Sequence, residues 1–216
     1  MKKILVSLLV VGFMIGFLSV PKTHANLINN AGFETGDLTG WISTGVVGVY
    51  GTVSRPAPPY GPPYYFTVSP YEGNYMAELR GDYDATLKQT FNLASAGPVN
   101  ISFKYNLFAY DFPSVEDGPD YFLVLDGGTL LNVSINDPVG LPVTTTNWQP
   151  FVWSGNLSAG PHTLQFYLET HTPGAPNQAA WAYVDAVSVA VPEPGILILL
   201  GISMASVVGL RRWWKD

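Results

Sequence analysis

The sequence predicts an all-β fold, an antiparallel sandwich or barrel flanked by two non-globular ends. Three observations lead there. Val99 to Leu107 alternates, with Val, Ile, Phe, Tyr and Leu on one face and Asn, Ser, Lys and Asn on the other, the mark of a half-buried strand. Turn signals recur between short runs of this kind: Gly97-Pro98, Asp137-Pro138 and Ala159-Gly160-Pro161. Residues 26–190 carry fifteen of the eighteen prolines, spread so that few windows can hold a long helix.

The amino terminus comes first. Lys2 and Lys3 precede an uncharged apolar run from Ile4 to Val20, which Pro21 ends. Thr23 and Ala25 place small residues at the −3 and −1 positions of a cleavage site. This is the pattern of a secretory signal peptide over residues 1–25.

Residues 26–190 are long enough to bury a core without staples. Predicted strands run over Tyr75–Leu79, Thr86–Leu93, Val99–Leu107, Asp120–Leu125, Thr129–Ile135, Gln149–Trp153, His162–Leu168 and Trp181–Ala190. Asp126-Gly127-Gly128 turns the fourth into the fifth as a hairpin. Two stretches break the rhythm. Arg55 to Tyr65 is a Pro/Tyr-rich loop of polyproline character, and Asp111 to Asp120 is an acidic, solvated connection. Several short strands at this spacing mean a sandwich or barrel.

The carboxyl terminus, residues 191–216, is of another kind. Val191-Pro192-Glu193-Pro194 is rigid and extended. Gly195 to Leu210 is uncharged, and Arg211, Arg212 and Lys215 follow with Trp213 and Trp214. As helix, residues 196–210 span roughly 22 Å, short of the roughly 30 Å hydrocarbon core. A basic stop with interfacial tryptophans holds the end in the cytoplasm, so the middle lies outside the membrane. Pro192-Glu193-Pro194, the apolar helix and Arg211-Arg212 together closely resemble the PEP-CTERM sorting signal. The resemblance implies processing by an exosortase, a transient transmembrane helix and a Gram-negative host that makes exopolysaccharide. It further implies delivery to the cell surface or extracellular matrix. It makes the chain a substrate of the sorting enzyme and leaves the middle unassigned.

A second resemblance concerns that middle. Asn26 to Trp41, with Gly32-Phe33-Glu34 inside it, is similar to the opening strand of galactose-binding-like jelly rolls, which include many carbohydrate-binding modules. Glu72–Leu79, Leu87–Phe91 and Ala182–Val189 fit the same template. The resemblance implies a jelly-roll β-sandwich, and one fold hosts many functions. It also implies a structural calcium ion where the first and last strands meet, with Glu34 and Asp185 as side-chain ligands. The residues add a physical argument. Asp185 shares the strand phase of Trp181, Tyr183, Val187 and Val189, and a carboxylate on an aromatic face needs a partner. Backbone carbonyls around Thr35-Gly36 and Glu72-Gly73 would complete the six to eight oxygens of such an ion. Alternatively, Asp185 accepts backbone N–H bonds.

Composition excludes several functions. The chain has 216 residues and no cysteine, so disulfide scaffolds, thiol nucleophiles and Cys-based metal sites are out. Residues 26–190 set only Arg55, Arg80, Lys88 and Lys104 against fourteen acids, and the low pI argues against nucleic acid as partner. No nucleophile elbow, zinc-protease helix or phosphate loop is present. Paired carboxylates are the remaining catalytic type, with Glu72, Glu78, Glu116 and Glu169 as candidates for a glycosidase. His162 and His171 stand alone, and His162 reads as a strand start. Among the aromatics, Trp41, Trp153 and Trp181 read as core. Trp148, with Tyr64 and Tyr65 of the Pro/Tyr loop, is the candidate glycan contact.

The expectation is a non-enzymatic, exported and sorted protein whose sandwich is a structural or adhesive matrix component. The alternative is a carbohydrate-binding module for exopolysaccharide. A polysaccharide-cleaving enzyme is the third reading.

Overall fold

The computed structural model describes residues 25–56, 65–80, 84–110, 120–134, 144–169 and 179–192. The signal peptide, the sorting signal beyond Pro192, Tyr64, the acidic loop with Glu116, and His171 lie outside them; of Tyr65 only the backbone is described. Among the described residues no helix is long and apolar enough to cross a membrane.

Asn26–Val191 forms one compact unit. Its strands are β1 (Ile42–Thr44), β2 (Val46–Tyr50), β3 (Val53–Pro56), β4 (Tyr65–Val68), β5 (Met76–Arg80), β6 (Ala85–Leu93) and β7 (Gly97–Tyr110). There follow β8 (Asp120–Leu125), β9 (Gly128–Ser134), β10 (Thr144–Thr145), β11 (Gln149–Leu157), β12 (Gly160–Glu169) and β13 (Ala179–Ala190). A five-stranded sheet runs β1-β6-β12-β8-β9. A six-stranded sheet runs β10-β7-β13-β5-β2, with β11 also beside β7. Every pairing is antiparallel. The architecture is an antiparallel β-sandwich, consistent with a jelly roll.

Alternation builds the core. Val99, Ile101, Phe103 and Leu107 of β7 face inward and are buried; Leu164, Phe166 and Leu168 of β12 meet them from the other sheet. Phe103 sits 5.0 Å from Phe166, edge to face. Each such side chain contributes about 1.5–3 kcal/mol by leaving water. The chain changes sheets between β1 and β2 at Gly45, where φ is +74° and a Cβ would run into the Asp84 carbonyl. Only glycine suits both conditions.

Two expectations need correcting. The opening segment is not a strand. Apart from one bridge between Asn26 and Ala190, residues 27–41 are turns. They are tied to the last strand by Leu27 N–H donating to the Val189 carbonyl and Val187 N–H donating to the Ala31 carbonyl. The last strand does not keep one phase. β13 bulges between Asp185 and Ser188, with Ala186 at φ 53°. The bulge inserts one residue and flips the side chains that follow. Asp185 therefore stays outside with Trp181 and Tyr183, while Val187 and Val189 join Ala182 and Val184 in the core.

Candidate functional site

The outer face of the six-stranded sheet carries a second cluster. Met76, Phe108, Trp181 and Tyr183 project from β5, β7 and β13, and the β3–β4 hairpin lays Phe66 and Val68 on them. Phe66 stacks on Phe108 at 4.1 Å and meets Trp181 edge-on at 5.2 Å. Trp181 is thus buried, as expected, but outside the sandwich core. Within the cluster Glu78 is fully buried and pairs with Arg55 of the hairpin, Nη2 to Oε1 at 2.7 Å and Nε to Oε2 at 3.2 Å. Burial pulls the guanidinium down, but Glu78 more than offsets it, and Arg55 ends above its ordinary value. Burial also raises the Tyr183 phenol, which lies against Glu78.

Beside this cluster sits the turn from Tyr71 to Tyr75, and Glu34 and Asp185 both act on it. Asp185 is fully buried. Its Oδ2 accepts from the N–H groups of Tyr71 at 2.9 Å and Glu72 at 3.1 Å, and its Oδ1 from that of Ala186 at 2.7 Å. Burial still pushes its carboxyl up to about 6, and the Glu72 charge adds to that; the three N–H groups pull the other way. Glu34 accepts from the N–H groups of Asn74 at 3.0 Å and Tyr75 at 3.1 Å, and from the Asn74 amide at 3.3 Å. The Asn74 and then the Tyr75 N–H hold its carboxyl below its ordinary value. A Cβ on Gly32 would stand 3.7 Å from Glu34 Cγ and 3.9 Å from Asp185 Oδ1, so the two acids are neighbours. Gly73, between the two gripped halves of the turn, has φ +65°, and a Cβ there would land on the Glu34 carboxylate.

The sequence resemblance implies calcium at this pair. A calcium ion needs six to eight oxygens around it. The groups turned toward Glu34 and Asp185 are N–H donors, and among the described residues no three His, Asp or Glu side chains converge. That set of N–H donors suits the two carboxylates and supplies none of the oxygens a calcium ion needs.

The turn carries aromatic rings outward. Tyr71 is 46% exposed and Tyr75 37%. Tyr71 meets Trp148 edge-on at 6.0 Å, and Lys104 Nζ stands 4.6 Å over its ring. Trp148 is half-buried rather than free: its Nε1–H donates to the Ser69 carbonyl at 3.0 Å and its body leans on the outer cluster. Three of the residues singled out from sequence adjoin a left-handed non-glycine residue. Phe33 (φ 58°) precedes Glu34, Ala186 (φ 53°) follows Asp185, and Asn147 (φ 53°) precedes Trp148. Such conformations cost about 1–3 kcal/mol each and persist where surrounding structure holds them, often at functional sites. Phe33 is held by full burial and its 5.4 Å packing on Trp41.

The sequence reading named Glu34, Asp185 and Trp148 but missed Tyr71. Only the fold brings Tyr71 onto β7 and next to Trp148. Of the glycosidase candidates, Glu116 lies outside the described residues and the other three have separate settings. Glu78 is spent on Arg55, Glu72 stands exposed in the Tyr71–Tyr75 turn, and Glu169 ends β12 in the other sheet. His162 is buried at the start of β12, between Asp126 Oδ2 at 2.6 Å and the Ser158 carbonyl at 2.9 Å.

No protein-family profile matches the chain, and no curated protein matches it. Among solved structures it is similar to TmCBM61, solved with β-1,4-galactotriose, at 18% identity and TM-score 0.47, over 78% of this chain and 99% of that one. It is similar to CBM35 from Paenibacillus barcinonensis at 16% identity and TM-score 0.36, over 72% and 96%. It is similar to the CBM22-1 xylan-binding domain of Xyn10C from the same organism at 16% identity and TM-score 0.38, over 81% and 99%. These are likenesses in the arrangement of strands.

Proposed function

We propose that residues 26–190 are a non-catalytic carbohydrate-binding module carried by an exported protein. The observation behind this is the pair Tyr71 and Trp148, with a partly exposed ring on a gripped turn beside a second ring held by its own hydrogen bond. Sugar rings bind by laying apolar C–H faces on such aromatics, with a few polar groups fixing orientation. The partly exposed Tyr71 ring is what puts the binding reading ahead of a purely structural or adhesive one.

A cleaving enzyme is disfavoured on chemistry. Glu34 and Asp185 are neighbouring acids, and both are taken up by backbone N–H groups. Asp185 is closed to solvent, so neither water nor a glycosidic oxygen reaches it.

The ends supply the address. The signal peptide over residues 1–25 exports the chain, and Pro192-Glu193-Pro194 with Arg211-Arg212 presents it to an exosortase. The helix at about 195–210 anchors it for that step. The host is a Gram-negative bacterium, the destination its surface or matrix, and the ligand its exopolysaccharide. Tyr64 and Tyr65 remain candidate contacts beside Tyr71 and Trp148.

The deciding experiment is co-sedimentation of the purified chain with the host's exopolysaccharide beside an inert polysaccharide. Selective, saturable binding supports the module. Binding to neither returns the structural or adhesive role to first place.

A further inference from the structure

We infer that Glu34 and Asp185 form a metal-independent latch that fixes the Tyr71–Tyr75 turn by accepting its backbone N–H groups. The inference does not depend on glycan binding.

The division of labour carries it. Asp185 takes the leading half of the turn, Tyr71 and Glu72. Glu34 takes the trailing half, Asn74 and Tyr75. Gly73 between them adopts the left-handed conformation that leaves room for the Glu34 carboxylate. Consecutive N–H groups in such a turn form a concave, electropositive nest, and a carboxylate is the ligand a nest takes. Bonds of this type are charge-assisted and stronger than neutral ones. Asp185 Oδ2 already accepts two N–H bonds and Oδ1 a third. A cation bound there would compete with those donors for the carboxylate lone pairs. The two acids come from opposite ends of the domain, the opening turns and the last strand, so the latch also ties those ends to the middle of the chain. Glu34 and Asp185 are positioning residues: they touch the backbone that presents Tyr71 and Tyr75.

The test has two arms on the full chain in mild detergent. In the first, the unsubstituted protein is melted with excess calcium and with excess chelator, and terbium is added as a luminescent probe excited through the nearby tyrosines. The latch gives equal midpoints, and any sensitised terbium emission is unchanged in Glu34→Gln. A midpoint raised by calcium, or terbium emission lost in Glu34→Gln, overturns it. In the second, amide hydrogen exchange is followed in Glu34→Gln and Asp185→Asn. Glu34→Gln should speed exchange at Asn74 and Tyr75 about tenfold and leave Tyr71 and Glu72 unchanged; Asp185→Asn should do the reverse. General loosening of the domain would instead raise all four together, and that outcome also overturns the latch. Should either variant fail to fold, the first arm decides alone.

Discussion

Glu34 and Asp185, 151 positions apart in sequence, hold the two halves of one turn, Asp185 at Tyr71 and Glu72 and Glu34 at Asn74 and Tyr75. The turn is thereby set from the two ends of the domain at once. Its backbone cannot move without breaking charge-assisted bonds.

Gly73→Ala should destabilise the domain more than Gly127→Ala does. Both glycines have positive φ, +65° and +83°, so each substitution carries a backbone cost of about 1 kcal/mol. A Cβ on Gly127 meets nothing within 4 Å, whereas one on Gly73 runs into Glu34. The expected total at Gly73 is about 2–4 kcal/mol once a displaced, hydrogen-bonded carboxylate is included. Urea midpoints measure the pair, and equal costs would mean that Glu34 does not sit against the turn.

Arg55→Ala should cost about 3–5 kcal/mol, because it leaves the fully buried Glu78 charge without its partner. Replacing both residues by apolar ones, Arg55→Met with Glu78→Leu, should cost much less, since no charge is then stranded. The same denaturant titration reports both. If the double variant is as unstable as the single one, the pair contributes more than mutual neutralisation.

His162 places both ring nitrogens against acceptors, a carboxylate and a carbonyl. Both bonds require a proton on each nitrogen, so the folded domain favours the imidazolium, and the Asp126 bond raises the His162 pKa. The sign follows. A raised histidine adds stability that is fully present below its unfolded pKa near 6.5 and is lost as pH rises through the higher folded value. Asp126 is lowered, chiefly by the His162 hydrogen bond acting against burial, so its share is present above about 3.8 and lost as pH falls through the lower folded value. The advantage of the natural chain over His162→Gln should therefore peak between about pH 4 and 6.5, at about 1 kcal/mol after solvent screening at the half-exposed Asp126. Thermal midpoints across pH test it. An advantage that grows above neutral pH would contradict a charged ring.

Tyr71→Ala should weaken polysaccharide binding about tenfold, near 1.4 kcal/mol, while shifting the melting midpoint little. The side chain is 46% exposed, and the bond to Asp185 comes from the backbone. Trp148→Ala should weaken binding too, at a larger cost in stability, because Trp148 also packs on the outer cluster. Affinity electrophoresis in host polysaccharide separates the two effects. Unchanged mobility of both variants would move the contact surface elsewhere.

Replacing Pro192-Glu193-Pro194 by alanines should leave an unprocessed, membrane-bound chain in the native host. Blotting of membrane and medium fractions reads this directly. Normal release of the variant would remove the sorting hypothesis.

Much of this fold is legible in the sequence because period-two alternation writes burial into residue order. Val99–Leu107 and His162–Leu168 were readable as strands, and both supply core. β1, β2, β3, β4 and β10 were not, because they are short, and β3 and β4 flank a proline run that hides their alternation. The phase of Asp185 was misread for a physical reason: the bulge at Ala186 adds a residue that no alternation rule anticipates. Glu34 and Asp185 were found through family resemblance. Their donors were not, since backbone N–H groups leave no trace in residue types. Tyr71 was invisible for the same reason that makes it interesting, its neighbours Lys104 and Trp148 being brought to it by β7 and by the bend before β11.

β13 lies between β7 and β5, and its last residue pairs with Asn26. A pull on the chain beyond Val191 therefore enters the domain through an interior strand. At the point of entry its ladder runs to β7 on one side with Asn26 on the other, while β5 reaches only Trp181–Val184. Asn26 clips that point through Val187 and Val189. Pulled between residues 25 and 191, which continue from the two sides of the antiparallel Asn26–Ala190 bridge, the domain should give up that clip first in a force-extension experiment.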